Sequence, residues 1–262
     1  MVPVRIGRAT LYCGDALRIL PELSGADALL TDPPYSSGGQ FRSDRALGVH
    51  AKYVQSDSAH LALPEFSGDN RDQRGFHFWS ALWSGAALRA CRPGAVACMF
   101  TDWRQLPVTT DYMQAGGWVW RGVVPWVKTS ARPQPGRFRA QCEYVVWGSA
   151  GTMPLDRGVD VLPGFFEYAT PARREHVTQK PLGLMADLLR IVPPGSTILD
   201  PFMGSGTTGV AAVQCGYHFV GVELSPHIFD TACRRIEEAQ RGLQEPGAPA
   251  ATEQGAFWET GA

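Results

Sequence analysis

In the run Ala28-Leu29-Leu30-Thr31-Asp32-Pro33-Pro34-Tyr35, an apolar segment leads straight into an acid, two prolines and an aromatic ring. Prolines fix φ and remove backbone donors, so a strand must end there in a rigid turn. In open α/β sheets, ligands bind at the carboxyl ends of strands. A carboxylate, proline carbonyls and a π-face held close together suit a planar ring that carries an amino group. The acid Asp32 and a carbonyl can accept the two N–H groups while Tyr35 stacks on the ring. For these four residues alone, an ordinary Pro-Pro turn closing a strand is the plain alternative.

A second constellation is Thr197-Ile198-Leu199-Asp200-Pro201-Phe202-Met203-Gly204-Ser205-Gly206-Thr207-Thr208. Here an apolar strand feeds a glycine turn and then a helical pattern. Gly204 and Gly206 allow close approach of backbone to a ligand and the φ values of a sharp turn. Free N–H groups at the following helix start favour an anionic group such as a carboxylate. Glu223 closes the next strand, where an acid can bind both hydroxyls of a ribose. There is no G-K-[ST] and no GxGxxG, so ATP and NAD are disfavoured. A nucleoside bearing an amino-acid carboxylate fits better.

The elements that must position these residues follow from apolar runs bounded by turn residues. Strands are expected at Ala9–Cys13, Ala28–Thr31, Ala95–Phe100, Trp118–Val127, Glu143–Trp147, Thr197–Leu199 and His218–Val222. Helices are expected at Phe76–Cys91, Trp103–Ala115, Pro181–Val192, Thr207–Cys215 and Pro226–Arg241, the last capped by Ser225 with Pro226 in its first turn. Strands alternating with helices predict an α/β fold, a mostly parallel sheet with helices on both faces. Ser36–Gly75 and Thr129–Ala140 break the alternation as long polar loops, the second with three arginines and no acid. The tail, residues 243–262, reads as flexible. The tryptophans at 79, 83, 118, 120, 126 and 147 fall in or beside these elements and read as core.

The 262 residues allow one large domain, expected to span residues 1–242. With 44% hydrophobic and 19% charged residues, the chain is of the globular class. Its apolar runs are too short to cross a membrane, and Met1–Arg8 lacks the apolar core of a secretory signal, so a cytoplasmic protein is expected. Six cysteines stand singly, which favours buried thiols over zinc or disulfides, and no metal site is expected. Net charge is −1, yet residues 121–180 carry nine basic against five acidic residues. That segment is compatible with a polyanion on one face.

TDPPY, HVTQKP and DPFMGSGTT in that order resemble the DNA amino-methyltransferases that modify adenine N6 or cytosine N4, in the permuted β class. The resemblance runs from about Thr10 to about Arg241. It implies a Rossmann-like S-adenosylmethionine-dependent methyltransferase fold, circularly permuted, with a seven-stranded sheet. By position, it implies that Asp200, Phe202, Gly204, Ser205, Gly206 and Thr207 form the cofactor loop and Glu223 binds the ribose. It implies Asp15 near the cofactor adenine, Thr178, Gln179 and Lys180 near the methionine part, and Asp32, Pro33, Pro34 and Tyr35 as the catalytic loop, Asp32 also touching the cofactor. The interval from Trp147 to His176 is shorter than in members with a separate target-recognition domain. Recognition would then fall to loops within 36–75 and 128–175.

The implied reaction is direct methyl transfer to an amino nitrogen of a flipped base in double-stranded DNA. Asp32 and the Pro33 carbonyl would accept the amino hydrogens, Tyr35 would stack, and no cysteine or histidine is required. An Asp at the first loop position leans to adenine N6, a Ser to cytosine N4. The alternatives are a cytosine-N4 enzyme, a transferase acting on RNA or a protein glutamine, or an inactive DNA-binding regulator. Lys128, Arg132, Arg137 and Arg139 are expected to contact DNA. A nucleoid-associated homodimer is the expected assembly, with a cognate restriction endonuclease or none.

Overall fold

Strand ends carrying Asp32 and Asp200 lie side by side at the middle of one sheet in this computed structural model, which describes residues 2–36, 71–131, 133, 135–154, 156–171 and 180–243. In chain order the elements are β1 (Val4–Ile6), β2 (Ala9–Cys13), α1 (Ala16–Ile19) with a 3₁₀ turn over Leu20–Glu22, and β3 (Ala26–Thr31). Next come α2 (Gln73–Ala90), β4 (Cys91–Thr101), α3 (Leu106–Ala115), β5 (Val119–Val127), β6 (Cys142–Ser149) and β7 (Phe166–Glu167). The chain continues with α4 (Leu182–Leu189), β8 (Thr197–Asp200), α5 (Thr207–Gln214), β9 (His218–Glu223) and α6 (Pro226–Gly242). His176, Thr178, Gln179, Arg132, most of the 36–75 loop and the tail beyond Leu243 fall outside the described residues.

The sheet order is β1-β2-β9-β8-β3-β4-β6-β5-β7. From β2 to β4 the neighbours are parallel, and β6 runs antiparallel between β4 and β5. These seven strands are the mostly parallel sheet that the sequence predicts. Two short strands, β1 and β7, extend it at the edges to nine.

Alternating side chains build a core on each face, as period-2 geometry requires. Ala28, Leu30, Val96, Cys98 and Phe100 meet Leu184, Val210, Phe229 and Ile236 of α4, α5 and α6. Leu29, Ala97 and Met99 face the other way, onto Phe76, Trp83 and Tyr112 of α2 and α3. Trp83, Trp118 and Trp126 are buried as expected, whereas Trp120 is exposed. Among the described residues no helix is long and apolar enough to cross a membrane.

The start of α3 and the capping of α6 differ from expectation. Trp103–Gln105 form a turn ahead of α3, because the Asp102 carboxylate accepts the Arg104 and Gln105 N–H groups at 3.0 and 2.9 Å. The Ser225 side chain makes no capping bond to α6; instead its own N–H donates to Glu223 Oε1 at 2.8 Å. Gly206 precedes α5 at φ +82°, and an added Cβ would stand 3.1 Å from Ala232 Cβ and 3.2 Å from its Cα. The position therefore serves the packing of α5 on α6. Gly206→Val should cost about 2–4 kcal/mol, from left-handed strain and overpacking together. Urea unfolding checks this, and an unchanged midpoint would contradict it.

Candidate active site

The sheet order brings the two sequence constellations to one cleft of about 640 Å³, lined by Asp15, Asp32, Tyr35, Phe202, Gly204 and Glu223 among others. Asp200 joins its two halves. Thr31 Oγ1 donates to its Oδ1 at 2.7 Å, the Phe202 N–H to the same oxygen at 3.1 Å, and Thr208 Oγ1 to its Oδ2 at 2.6 Å. One carboxylate thus ties β3, the glycine loop and α5. Burial pushes its pKa up to about 7 against those three bonds, and the nearby charge of Asp32 adds to the rise.

The glycine loop wraps Glu223. Gly204 N–H donates to Glu223 Oε2 at 3.1 Å and Ser225 N–H to Oε1, while burial raises the acid's pKa. Each oxygen keeps acceptor capacity, so a diol can still be bound. Gly204, at φ +54°, would point a Cβ into open space, and it lines the cleft. Of the two expected close-approach glycines, Gly204 faces the ligand space and Gly206 faces α6. Arg235 Nη1 holds the loop in place through Ser205 O and Oγ at 2.6 and 2.9 Å and reaches Thr207 Oγ1 at 3.4 Å.

Phe202 packs on Trp83 and on Trp79, with ring centroids 5.0 and 5.5 Å apart. Trp79, expected in the core, is half-buried in the cleft wall beneath the Arg71 guanidinium. Asp15 accepts the Leu17 N–H at 2.9 Å and so caps α1 from the same wall.

On the opposite wall runs a chain of four charges. Tyr35 donates its hydroxyl to Asp32 Oδ1, and Lys180 Nζ reaches Asp32 Oδ2 at 2.6 Å. Lys180 also lies 3.3 Å from Glu143 Oε2, and Lys128 pairs with Glu143 Oε1. The Lys180 side chain is only 7% exposed. Its burial favours the neutral form, but Asp32 and Glu143 outweigh that and raise its pKa. For Glu143, burial pushes up while Lys180 and Lys128 pull harder, leaving it below the usual carboxylate range. Burial and the Asp32 charge hold the Tyr35 hydroxyl protonated well above its ordinary range.

Glu143 is a site residue that the sequence does not single out. Its one signal is position: a lone acid opening an apolar strand just after three arginines. Lys128, expected at a DNA surface, stands in the cleft wall against Glu143 and the Trp126 ring. Arg137 and Arg139 are exposed on the segment joining β5 to β6.

Residues 161–234 match the model of a family described as DNA methylase. The chain is 26% identical over 239 residues to the putative methylase YubD of Escherichia coli (strain K12), covering 90% of this chain and 93% of that protein. It is also 26% identical over 270 residues to the Type II methyltransferase M.Cfr9I of Citrobacter freundii, covering 90% of each. Residues 161–234 are thus similar to a DNA methylase family, and about nine-tenths of the chain is similar to these two methylases. Solved structures share its fold. The M1.HpyAVI–SAM complex matches with TM-score 0.62 at 24% identity over 87% of this chain and 98% of that one. The cytosine-N4-specific PvuII DNA methyltransferase matches with TM-score 0.66 at 15% identity over 91% and 93%. The fold is the Rossmann-like one of these methyltransferases, with the Asp32 strand preceding the Asp200 strand in the chain.

Asp200 makes a pH-dependent contribution to stability. Its folded pKa of about 7 lies above the ordinary value of 3.8, so folding favours its protonated form. The resulting stabilisation is present below pH about 4 and is lost as pH rises to about 7. Asp200→Asn should lack that fall. Urea unfolding of both proteins between pH 4.5 and 8 tests this, and parallel pH profiles would contradict it.

Proposed function

We propose that this DNA methyltransferase transfers the methyl group of S-adenosylmethionine to N6 of adenine, at a base flipped out of double-stranded DNA. The observation that carries the reading is the meeting of Asp32 with the Gly204–Glu223 turn in one cleft. Its volume of about 640 Å³ falls within the roughly 300–1,000 Å³ usual for small-molecule sites. The residues present fit the cofactor: Glu223 for the ribose hydroxyls, Gly204 where backbone must come close, and Phe202, Trp79 and Asp15 around the adenine. Ser205 and Thr207 complete the loop, and Lys180, with Thr178 and Gln179 from outside the described residues, belongs to the methionine side. Bound there, S-adenosylmethionine supplies an electrophilic methyl group on a sulfonium.

The chain's own residues then prepare the amino group. Lys180 and the Tyr35 hydroxyl each occupy one position on Asp32, and a carboxylate has about four acceptor positions. A free lone pair of Asp32 and the Pro33 carbonyl accept the two amino hydrogens, which frees the nitrogen lone pair from ring conjugation. Pro34 keeps the turn rigid, the Tyr35 ring stacks on the base, and Asp32 takes the proton that the methylated nitrogen must lose. Adenine is favoured over cytosine by the Asp at the head of the loop, the type that leans to adenine in the family the sequence resembles.

Tritiated-methyl transfer to unmethylated plasmid DNA, followed by digestion to nucleosides, tests the reading. N6-methyladenine is expected. N4-methylcytosine would overturn the choice of base, and unlabelled DNA would overturn the function.

Two variants should separate chemistry from binding. Asp32→Ala should lower the methylation rate about 10²–10⁴-fold with cofactor affinity nearly unchanged. Gly204→Val should do the reverse at the binding step, since its side chain would enter the cleft from a strained φ. Calorimetric titration with S-adenosylmethionine reads both, and equal affinities for the two variants would contradict the placement.

Arg132, Arg137 and Arg139 are proposed to contact DNA phosphates. Changing all three to Ala should lower the slope of log K against log salt by about one for each phosphate no longer neutralised. An unchanged slope would return them to solvent.

A further inference from the structure

Trp103 lies outside every motif that carried the family resemblance, yet it stands in the wall of the Asp32 cleft with 57% of its surface exposed. The Arg104 guanidinium covers part of its ring, 4.6 Å from the centroid. Arg104 is itself steadied by Asp102, 3.7 Å away.

The turn beneath the indole is rigid. Asp102 Oδ1 accepts the N–H groups of both Arg104 and Gln105. Gln105 is fully buried, and its Nε2 donates to Ser36 O at 3.3 Å. Ser36 is buried too, with φ +51°, and directly follows Asp32–Tyr35. The Trp103 lip and the catalytic loop are therefore fastened to each other through one side chain. A large aromatic surface left in water beside a charged cleft has little structural purpose, since α3 and the sheet pack without it.

We propose that Trp103 is a nucleobase-stacking residue, taking the π-face of a DNA base left unstacked when the target base is flipped. The inference rests on the DNA methyltransferase reading of this cleft. Flipping removes one base from the stack and bares the faces of its neighbours. An exposed indole at a fixed distance from Asp32 can cover one such face, and Arg104 adds a cation beside the backbone. Stacking of this kind tolerates any base, so Trp103 supplies affinity and stabilises the flipped state rather than reading sequence.

The test uses the full chain with a duplex that the wild type methylates, comparing Trp103→Ala and Trp103→Phe. Loss of one base–aromatic stack should weaken DNA binding about 5–150-fold for Trp103→Ala. Trp103→Phe should recover most of that loss, while S-adenosylmethionine affinity and melting temperature stay at wild-type values for both. With 2-aminopurine beside the target base, fluorescence on binding should be quenched by the wild type and Trp103→Phe but not by Trp103→Ala. DNA affinity and quenching unaltered by Trp103→Ala would overturn the proposal and leave the methyltransferase reading intact. An equal loss for Ala and Phe, with no difference in quenching, would also overturn it. A wild type that methylates no DNA would overturn both readings.

Discussion

The ion pair between the buried Lys180 and the half-buried Asp32 is the contact around which the cleft is organised. Taking two charges out of water is costly, and the cost is recovered only when their partners are well placed. Here each charge has neighbours of opposite sign: Lys180 lies between Asp32 and Glu143, and Glu143 between Lys180 and Lys128. The rings of Phe100 and Tyr35 flank Lys180 with centroids 5.1 and 5.4 Å away, keeping water off the pair. The chain of charges crosses the end of β3, the end of β5 and the start of β6, so three strands must be in register before Asp32 is in place. Removing any inner member would leave an uncompensated buried charge.

The Asp200 carboxylate performs the complementary task on the other side of β3. By accepting from Thr31 and Thr208, it fixes β3 against β8 and α5. Two loops far apart in the chain, at Asp32 and at Gly204, thereby meet at one place in the sheet. The contact between β3 and β8 depends on sheet order, not on the order of synthesis. Asp200 contributes placement, while Glu223 and Gly204 face the ligand space.

Much of this architecture is legible in the sequence. β2 occupies the expected residues, and β8, β9, α5 and α6 end within a residue or so of expectation, because turn residues bound apolar runs of clear period. The elements that escape are short or local: β1 is three residues at an edge, β7 is two, and α1 is a single turn capped by Asp15, too brief for any periodicity. Motif residues converge on one cleft, but their partners cannot be read. Lys180 and Asp32 are joined across 148 positions, and nothing local to either announces the other. Glu143 and Trp103 are likewise invisible as site residues, since what distinguishes them is burial with two lysines in one case and exposure beside the cleft in the other. Gly206 has a second constraint that its type does not reveal, since a Cβ there would meet Ala232 of α6.

The central claim is that Asp32, paired with Lys180, receives the amino group of a flipped base. A crystal structure of the protein with a non-reactive cofactor analogue and a duplex containing the methylated site tests it most directly. The account predicts the target base outside the helix, its amino nitrogen about 2.7–3.2 Å from an Asp32 oxygen and from the Pro33 carbonyl, with Lys180 still on the other carboxylate oxygen. A target base that stays stacked in the duplex, or one that enters the cleft with its amino group turned away from Asp32, would contradict it.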